Sequence, residues 1–464
     1  MKKLDTSEIE ALLDDFDYSI REKNLLELSK TLTLHQYNNN NTSTTKWTNM
    51  HCHTFYSFNA YGYSPQHIAW RAKKEHLAVI GTVDFDVLDN MEETLTAGEI
   101  LSMKTAAGFE TRCYIGKYKD KVINSPGEPG ICYFIGIGFY KKPSPGTKYA
   151  EVLSNLFNIA KQRNLMIIEK VNEFLTPVKI DYQKDILPLT PKGNATERHI
   201  LYGYWNKSKE VFKNNIDEVV RFWATKLNTN YETISKLVAD LPEFIEFARA
   251  KLMKYGSIGY VSPTPYMFPK LEDVIEMITS CDALPAYAWL DGTTPAECNI
   301  AELLNFMVEK GIALVNIIPD RNWNIKNAEE KKIKVEKLNE LIKTCKELSL
   351  PIIAGTEMNK YGQKFVDDFH APELKNYVDE LYKGACFVYG HTLLGRYAGG
   401  KGYNSPWAKK YFPSTHYIAH KEKKDFYTTI GEKFMPSKDN FSLLMSLKDE
   451  NITPEEIKNK IERR

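Results

Sequence analysis

The sequence predicts an α/β fold: a closed or nearly closed barrel of seven strands, built from βαβ units and interrupted by a long helical insertion. Three observations predict it. Seven short apolar runs are bounded by turn residues, helical periodicity separates most of them, and several runs end in a side chain able to bind a metal or act as an acid. In α/β barrels the C-terminal strand ends form the active-site face, so such endings can converge on one pocket.

Taken in order, residues 4 to about 34 carry Ile9, Leu12, Leu13, Phe16, Leu25, Leu26 and Leu28 at helical spacing, as in an amphipathic helix pair. The polar run NNNNTST at 38–44 reads as a linker. Four strand-like runs follow, at Trp47 to His53, Ala78 to Asp84, Gly108 to Ile115 and Ile131 to Phe139. From about 148 to 282 the periodicity turns helical, most clearly in VLSNLFNIAKQRNLMIIEKVNEFL and in DEVVRFWATKLNTNYETISKLVADLPEFIEFARAKLMKYG. Strand-like runs resume at Leu284 to Leu290, Ile312 to Ile318 and Pro351 to Glu357, separated by further helical patterns. The organisation read from this is an N-terminal helical extension and linker over 1–46, a first part of the barrel over 47–148 and a helical insertion over 149–282. A second barrel part over 283–400 and a C-terminal extension over 401–464 complete it.

Composition narrows the function. Lys and Arg total 61 against 60 Asp and Glu, a net charge of +1, so no global field exists to hold a polyanion, and no nucleic-acid partner is expected. The longest apolar stretch, Cys132 to Tyr140, is far short of a membrane span. The start, MKKLDTSEIEALLDDF, places acids where a secretory signal needs an apolar core, so a cytoplasmic protein is expected. The seven cysteines are scattered, odd in number and never spaced as CxxC, which argues against a disulfide framework or thiolate zinc cluster and for small buried apolar residues.

The strand endings carry the chemistry. They are His51 and His53 in NMHCH, Asp84 in IGTVD, Glu110 in AGFE, Asp291 in AWLD, Asp320 in NIIPD and Glu357 in IIAGTE. For Asp291 and Asp320, capping of the following helix is an equal alternative. His51 and His53 lie two residues apart, so on a strand both imidazoles project from one face and can chelate one divalent ion. Glu110 and Glu357 add two carboxylates, a donor set suited to zinc, manganese or iron. GRYAGGKG at 395–402 fits G-x-x-x-x-G-K but ends in glycine where Ser or Thr would bind magnesium, so it reads as a Gly-rich surface loop, or as an anion clamp through Arg396 and Lys401.

The series HCHTFYS at 51, IGTVDFD at 80, AGFE at 107, ICYFIGIG at 131, RNLMIIEKVNEF and TERHI in the insertion, and PIIAGTEMN at 351 resembles the PHP (polymerase and histidinol phosphatase) family over about residues 47 to 370. The resemblance implies a distorted seven-stranded (β/α) barrel with a helical insertion between the fourth and fifth strands. It also implies up to three metals at the strand ends, mostly serving phosphoester hydrolysis. Several family ligand positions are substituted here. The TDH motif reads Val83, Asp84, Phe85; the histidine after the HxH pair falls near Asn59, the fourth-strand histidine near Cys132 or Tyr133. AHP has become Ala288, Trp289, Leu290, and the terminal Asp-x-His is Glu357, Met358, Asn359. Only His51, His53, Glu110 and Glu357 keep ligand chemistry, and the family pattern gathers these around one metal.

The implied function is a metal-dependent hydrolase with one divalent ion, acting on a small phosphorylated or otherwise anionic metabolite. Asp84 is the candidate to position water or accept its proton, and Arg321 is the candidate catalytic cation. Phe85, Trp289, Asn359, His391, Arg396 and Lys401 are the candidate substrate contacts. Aromatic replacements make the pocket narrower and less polar, which suits a substrate with a ring or apolar moiety. The alternative is a non-catalytic barrel that binds a ligand or partner through the same rim. His199 is expected to pack or cap between helices, and Asp367 and Asp368 to be surface or capping acids.

Overall fold

The seven apolar runs become the seven strands of one sheet, adjacent in chain order, in the computed structural model of the protein, which describes residues 5–36, 45–262, 267–413 and 417–463. They are β1 (Thr48–Cys52), β2 (Val79–Phe85), β3 (Lys104–Tyr114), β4 (Ile131–Ile137), β5 (Leu284–Ala288), β6 (Leu314–Ile317) and β7 (Ile352–Ala354). The first and last strands meet just beyond β7: the Glu357 amide donates to the His51 carbonyl at 2.8 Å and the His53 amide to the Glu357 carbonyl at 2.8 Å. That single bridge leaves the sheet nearly closed into a barrel. The linker read at 38–44 lies outside the described residues.

One expectation is corrected. The strands are not all parallel, because β4 runs antiparallel to both β3 and β5. A parallel neighbour needs a crossover of a dozen or more residues, usually helical, to carry the chain back along the sheet. Between β3 and β4 the only helical element is the three-residue turn Gly116–Tyr118, so the chain folds back as a long hairpin. The helices Lys148–Phe174, Glu197–Val211, Ile216–Lys226 and Leu241–Leu252 lie between β4 and β5 and build a hydrophobic core of their own around Trp223, Tyr204 and Phe244.

Strand alternation sorts the side chains into two cores. Ala106, Ile135, Leu284, Ala286, Leu314 and Ile353 fill the inside and pack against the helix Val378–Tyr397. Phe109, Phe134, Tyr287, Val315 and Ile352 face the outer helices. The helix Val378–Tyr397 plugs the end of the barrel where the parallel strands begin. A Cβ at Gly384 would stand 1.9 Å from the Ile352 carbonyl oxygen, so only glycine permits this approach. Lys104, at the start of β3, donates to the Gly431 carbonyl at 2.6 Å, and Asn404 donates to the Ala283 carbonyl just before β5 at 2.6 Å. With that end sealed, space remains at the C-terminal strand ends.

The N-terminal helix Tyr18–Gln36 buries Leu25 and Leu28, whereas Phe16, expected on the apolar stripe of the helix before it, lies in the bend between the two and is 51% exposed. Six cysteines are buried and Cys298 is exposed; all are free. No described helix is long and apolar enough to cross a membrane.

The helix Tyr417–Lys433, which backs the plug, carries Lys423 over the Tyr403 ring at 3.9 Å and Lys424 donating to the Ser349 carbonyl at 2.9 Å. Burial brings both ammonium groups down to about 8. An unfolded lysine titrates near about 10.4, so between about pH 8 and about pH 10 the unfolded chain binds more protons and stability rises with pH. Below about pH 8 both states are charged and the full desolvation cost opposes folding. Lys424→Met is therefore expected to raise the melting temperature at pH 7 and to flatten its climb toward pH 10. An unchanged melting temperature at pH 7 would contradict this.

Candidate metal centre

β1 delivers the two histidines through a bulge. Its pairing with β2 steps from Asn49↔Ile80 to Cys52↔Thr82, three residues against two, which re-aims the side chains between them. β7 passes close behind. A Cβ at Gly355 would lie 2.3 Å from the His51 Cβ, so glycine is what lets the strands meet there. Glu110 shares the inward phase of Ala106 on β3 and reaches the same point.

The three donor atoms converge. His51 Nε2 and His53 Nε2 are 3.3 Å apart, and Glu110 Oε2 lies 3.8 Å and 3.6 Å from them. Metal–nitrogen bonds of about 2.0–2.1 Å in a tetrahedral shell put donors roughly 3.3–3.4 Å apart. All three residues are buried. Burial lowers the His51 pKa and, for His53, brings it down to about 4, so both rings are neutral and able to offer lone pairs. Burial also pushes Glu110 up to about 7, with His51 opposing the rise.

The tautomer of His53 follows from its hydrogen bonds. The Ser57 hydroxyl donates to Asp84 Oδ1 at 2.6 Å, so its oxygen accepts from His53 Nδ1–H at 3.1 Å and leaves Nε2 bare toward Glu110. Asp84 also accepts from the Thr54 amide at 2.8 Å and the Thr54 hydroxyl at 2.6 Å. It is completely buried behind His53, outside the cavity lining, and reaches the ring through the Ser57 hydroxyl. His51 Nδ1 is buried without a hydrogen-bond partner among the described residues. Ser57→Ala is expected to weaken divalent-metal affinity about ten- to a hundredfold, as loss of an orienting partner does. Equal affinities of the two proteins in a competitive chelator titration would refute the relay.

Glu357 reaches the same cavity but faces a different partner. Its Oε1 accepts from Arg321 Nη2 at 2.5 Å and its Oε2 from Gln363 Nε2 at 3.2 Å. Burial alone would raise its pKa; the Arg321 guanidinium, then His51, override that and hold it at about 2. Glu357 and Met358 both adopt left-handed backbone, with φ of 64° and 58°, a conformation costly for non-glycine residues and concentrated at functional sites. The close three-donor group contains His51, His53 and Glu110, with Glu357 outside it.

The other sequence candidates divide by location. Phe85 lies against the His53 ring, centroids 4.3 Å apart, and lines the cavity, as do Asn359 and Arg321. Trp289 borders the cavity from the outer core, its buried Nε1 without a hydrogen-bond partner among the described residues. His391, Arg396 and Lys401 do not line it, which corrects their reading as substrate contacts. They belong to the plug at the far end of the barrel. His391 bridges the Gly138 carbonyl and the Tyr403 amide, each at 2.8 Å. Arg396 is held by Glu92 at 2.7 Å and Glu99 at 3.1 Å, and Lys401 donates to the Ala398 carbonyl at 2.7 Å. His199 caps its helix as expected, Nδ1 accepting from the Thr196 amide at 3.0 Å. Asp320 lines the cavity, whereas Asp291 accepts from the Thr293 amide at 3.0 Å in a turn. Asp367 is buried and accepts from Trp323 Nε1 at 2.9 Å, contrary to its reading as a surface acid.

The cavity, of about 730 Å³, also contains residues that motif reading passed over. Asp86 borders it, burial raising its pKa to about 6 and the Thr111 hydroxyl, donating at 2.6 Å, opposing that. Arg163, Arg198, Arg249 and Lys254 enter from the insertion. In sequence Arg163 and Arg198 fall inside the segments RNLMIIEKVNEF and TERHI, but all four are ordinary charges in a helical insertion, with no spacing that marks them as a site.

No protein-family model and no curated protein matches the chain. Several solved structures resemble it, among them the following two. One is an amidohydrolase from Chromobacterium violaceum with bound sulfate and no metal, 13% identical, covering 73% of this chain and 96% of its own, with a TM-score of 0.46. The other, from Bifidobacterium adolescentis, is described as a metal-dependent phosphoesterase; it is 16% identical and covers 70% of this chain and 94% of its own, with a TM-score of 0.43. The functional reading rests on the chain's own residues.

Proposed function

We propose that this protein is a metal-dependent hydrolase of the PHP type that acts on a small anionic substrate through one divalent ion, zinc, manganese or iron. The carrying observation is the convergence of His51 Nε2, His53 Nε2 and Glu110 Oε2 in a buried site, with Ser57 and Asp84 fixing the tautomer of His53. The donors fit a borderline cation, and three protein ligands leave room for water or substrate, as in catalytic rather than structural sites. A bound divalent ion would supply Lewis-acid polarisation of the scissile group.

The chain's residues supply the rest. Arg321 neutralises Glu357 and presents its guanidinium to the cavity, where it can bind substrate anion. Asp86, with a pKa near 6, can exchange a proton with a group in the cavity. Phe85 covers His53 and narrows the pocket. We therefore expect selective turnover of a substrate bearing a ring or apolar part, with generic phosphomonoesters cleaved weakly or not at all. A panel of phosphoesters, lactones and amides with zinc, manganese or iron tests this, and Glu110→Gln should remove any turnover. Rapid, promiscuous phosphomonoester cleavage would contradict the expected selectivity, and silence across the panel with metal bound would favour the ligand-binding alternative.

A further inference from the structure

Charge in the cavity is segregated. Seven cationic and seven acidic side chains line it, so it is neutral as a whole if all are ionised. On the strand-end side, Asp86, Glu110, Asp320 and Glu357 outnumber Arg321 and Lys360 by two, an excess of negative charge that matches a divalent cation, with Arg112 and Arg163 acting on Asp86 from beyond. Arg112 and Glu128 pair with each other at 3.0 Å and cancel. The insertion side is the inverse.

There, Arg163, Arg249 and Lys254 converge on the single carboxylate of Glu197, at 3.0, 2.8 and 3.3 Å. Arg198 pairs with Glu246, which Arg249 also reaches at 3.2 Å. Four cations thus share two carboxylates, an excess of two positive charges. The three arginine side chains are 9–19% exposed, so water screens this excess poorly. Burial and then Arg249 lower the pKa of Arg198, and burial lowers that of Lys254. Tyr133, between the two sides, has a hydroxyl with no hydrogen-bond partner among the described residues.

We infer that the insertion side of the cavity is an anion subsite, formed by Arg163, Arg249 and Lys254, that holds a phosphate-class group of the substrate away from the metal centre. This deepens the hydrolase reading and rests on it for the word substrate. A cavity of this size accommodates a ligand that spans both sides, its reacting bond at the strand ends and its anion under the insertion. Multivalent arginine donors in a poorly hydrated setting favour phosphate over a singly charged carboxylate.

The test is calorimetric titration of inorganic phosphate into the full-length, metal-stripped protein. Saturable binding to one site is expected, with Kd rising at least tenfold in Arg163→Gln/Arg249→Gln and severalfold in Lys254→Met, a milder change at a half-exposed position. Glu110→Gln should leave Kd within about twofold. Circular dichroism on each variant establishes that it is folded, and Lys254→Met carries the test if the double variant is not. Absence of phosphate binding, or binding lost in Glu110→Gln but unchanged in Lys254→Met, overturns the inference. Phosphate binding by a protein that takes up no metal would leave the subsite standing and remove the hydrolase reading, so the two fail separately.

Discussion

His53→Ala is expected to lower divalent-metal affinity by at least about a hundredfold and to remove any hydrolytic turnover, more than loss of an orienting partner costs. His53 supplies one of three converging donors, and its removal also leaves Ser57 and Asp84 with nothing to orient. The control is His370→Ala. His370 is exposed and packs edge-on against Trp47 at 5.3 Å on the outside of the barrel, so metal uptake should be unchanged. Metal uptake by His53→Ala equal to that of the parent, measured by chelator competition, would show that these donors do not form the site.

Glu93→Ala should carry the largest stability effect, about 3–5 kcal/mol, because it strands a buried charge. Arg21 is fully buried, and its Nη2 donates to both Glu93 oxygens at 2.7 Å. Its remaining hydrogen-bond partners, the Asp15 carbonyl at 2.6 Å and Gln66 Oε1 and the Tyr56 hydroxyl, each at 3.2 Å, are neutral. The pair fastens the N-terminal helix to the helix Met91–Leu101 against the barrel. Replacing both residues with apolar ones, Arg21→Met with Glu93→Leu, should recover most of the loss, since the desolvation cost of both charges disappears together. Chemical denaturation distinguishes these outcomes, and a loss below about 1 kcal/mol in Glu93→Ala would contradict the account.

The strands were legible because each is buried on both faces and so reads as a continuous apolar run. The reversed direction of β4 was not, because strand direction depends on whether the connection crosses the sheet, and apolar runs carry no sign. His51, His53 and Glu110 announced themselves through residue type at strand ends. The diversion of Glu357 did not, because the deciding residue is Arg321, placed beside it by a different strand end. His391, Arg396 and Lys401 have suitable chemistry in the wrong place: residue type does not say which end of a barrel a helix will plug. That the insertion's arginines enter the cavity was not legible for the converse reason. Charges on amphipathic helices usually face solvent, and only the packing of the insertion over the strand ends turns these inward.

The central claim is a single divalent ion held by His51, His53 and Glu110. Elemental analysis of the wild-type chain, purified without added metal and again after reconstitution with zinc, manganese or iron, tests it most directly. Close to one equivalent per chain is predicted, falling toward zero in His53→Ala. Two or three equivalents, or none even after reconstitution, would contradict it.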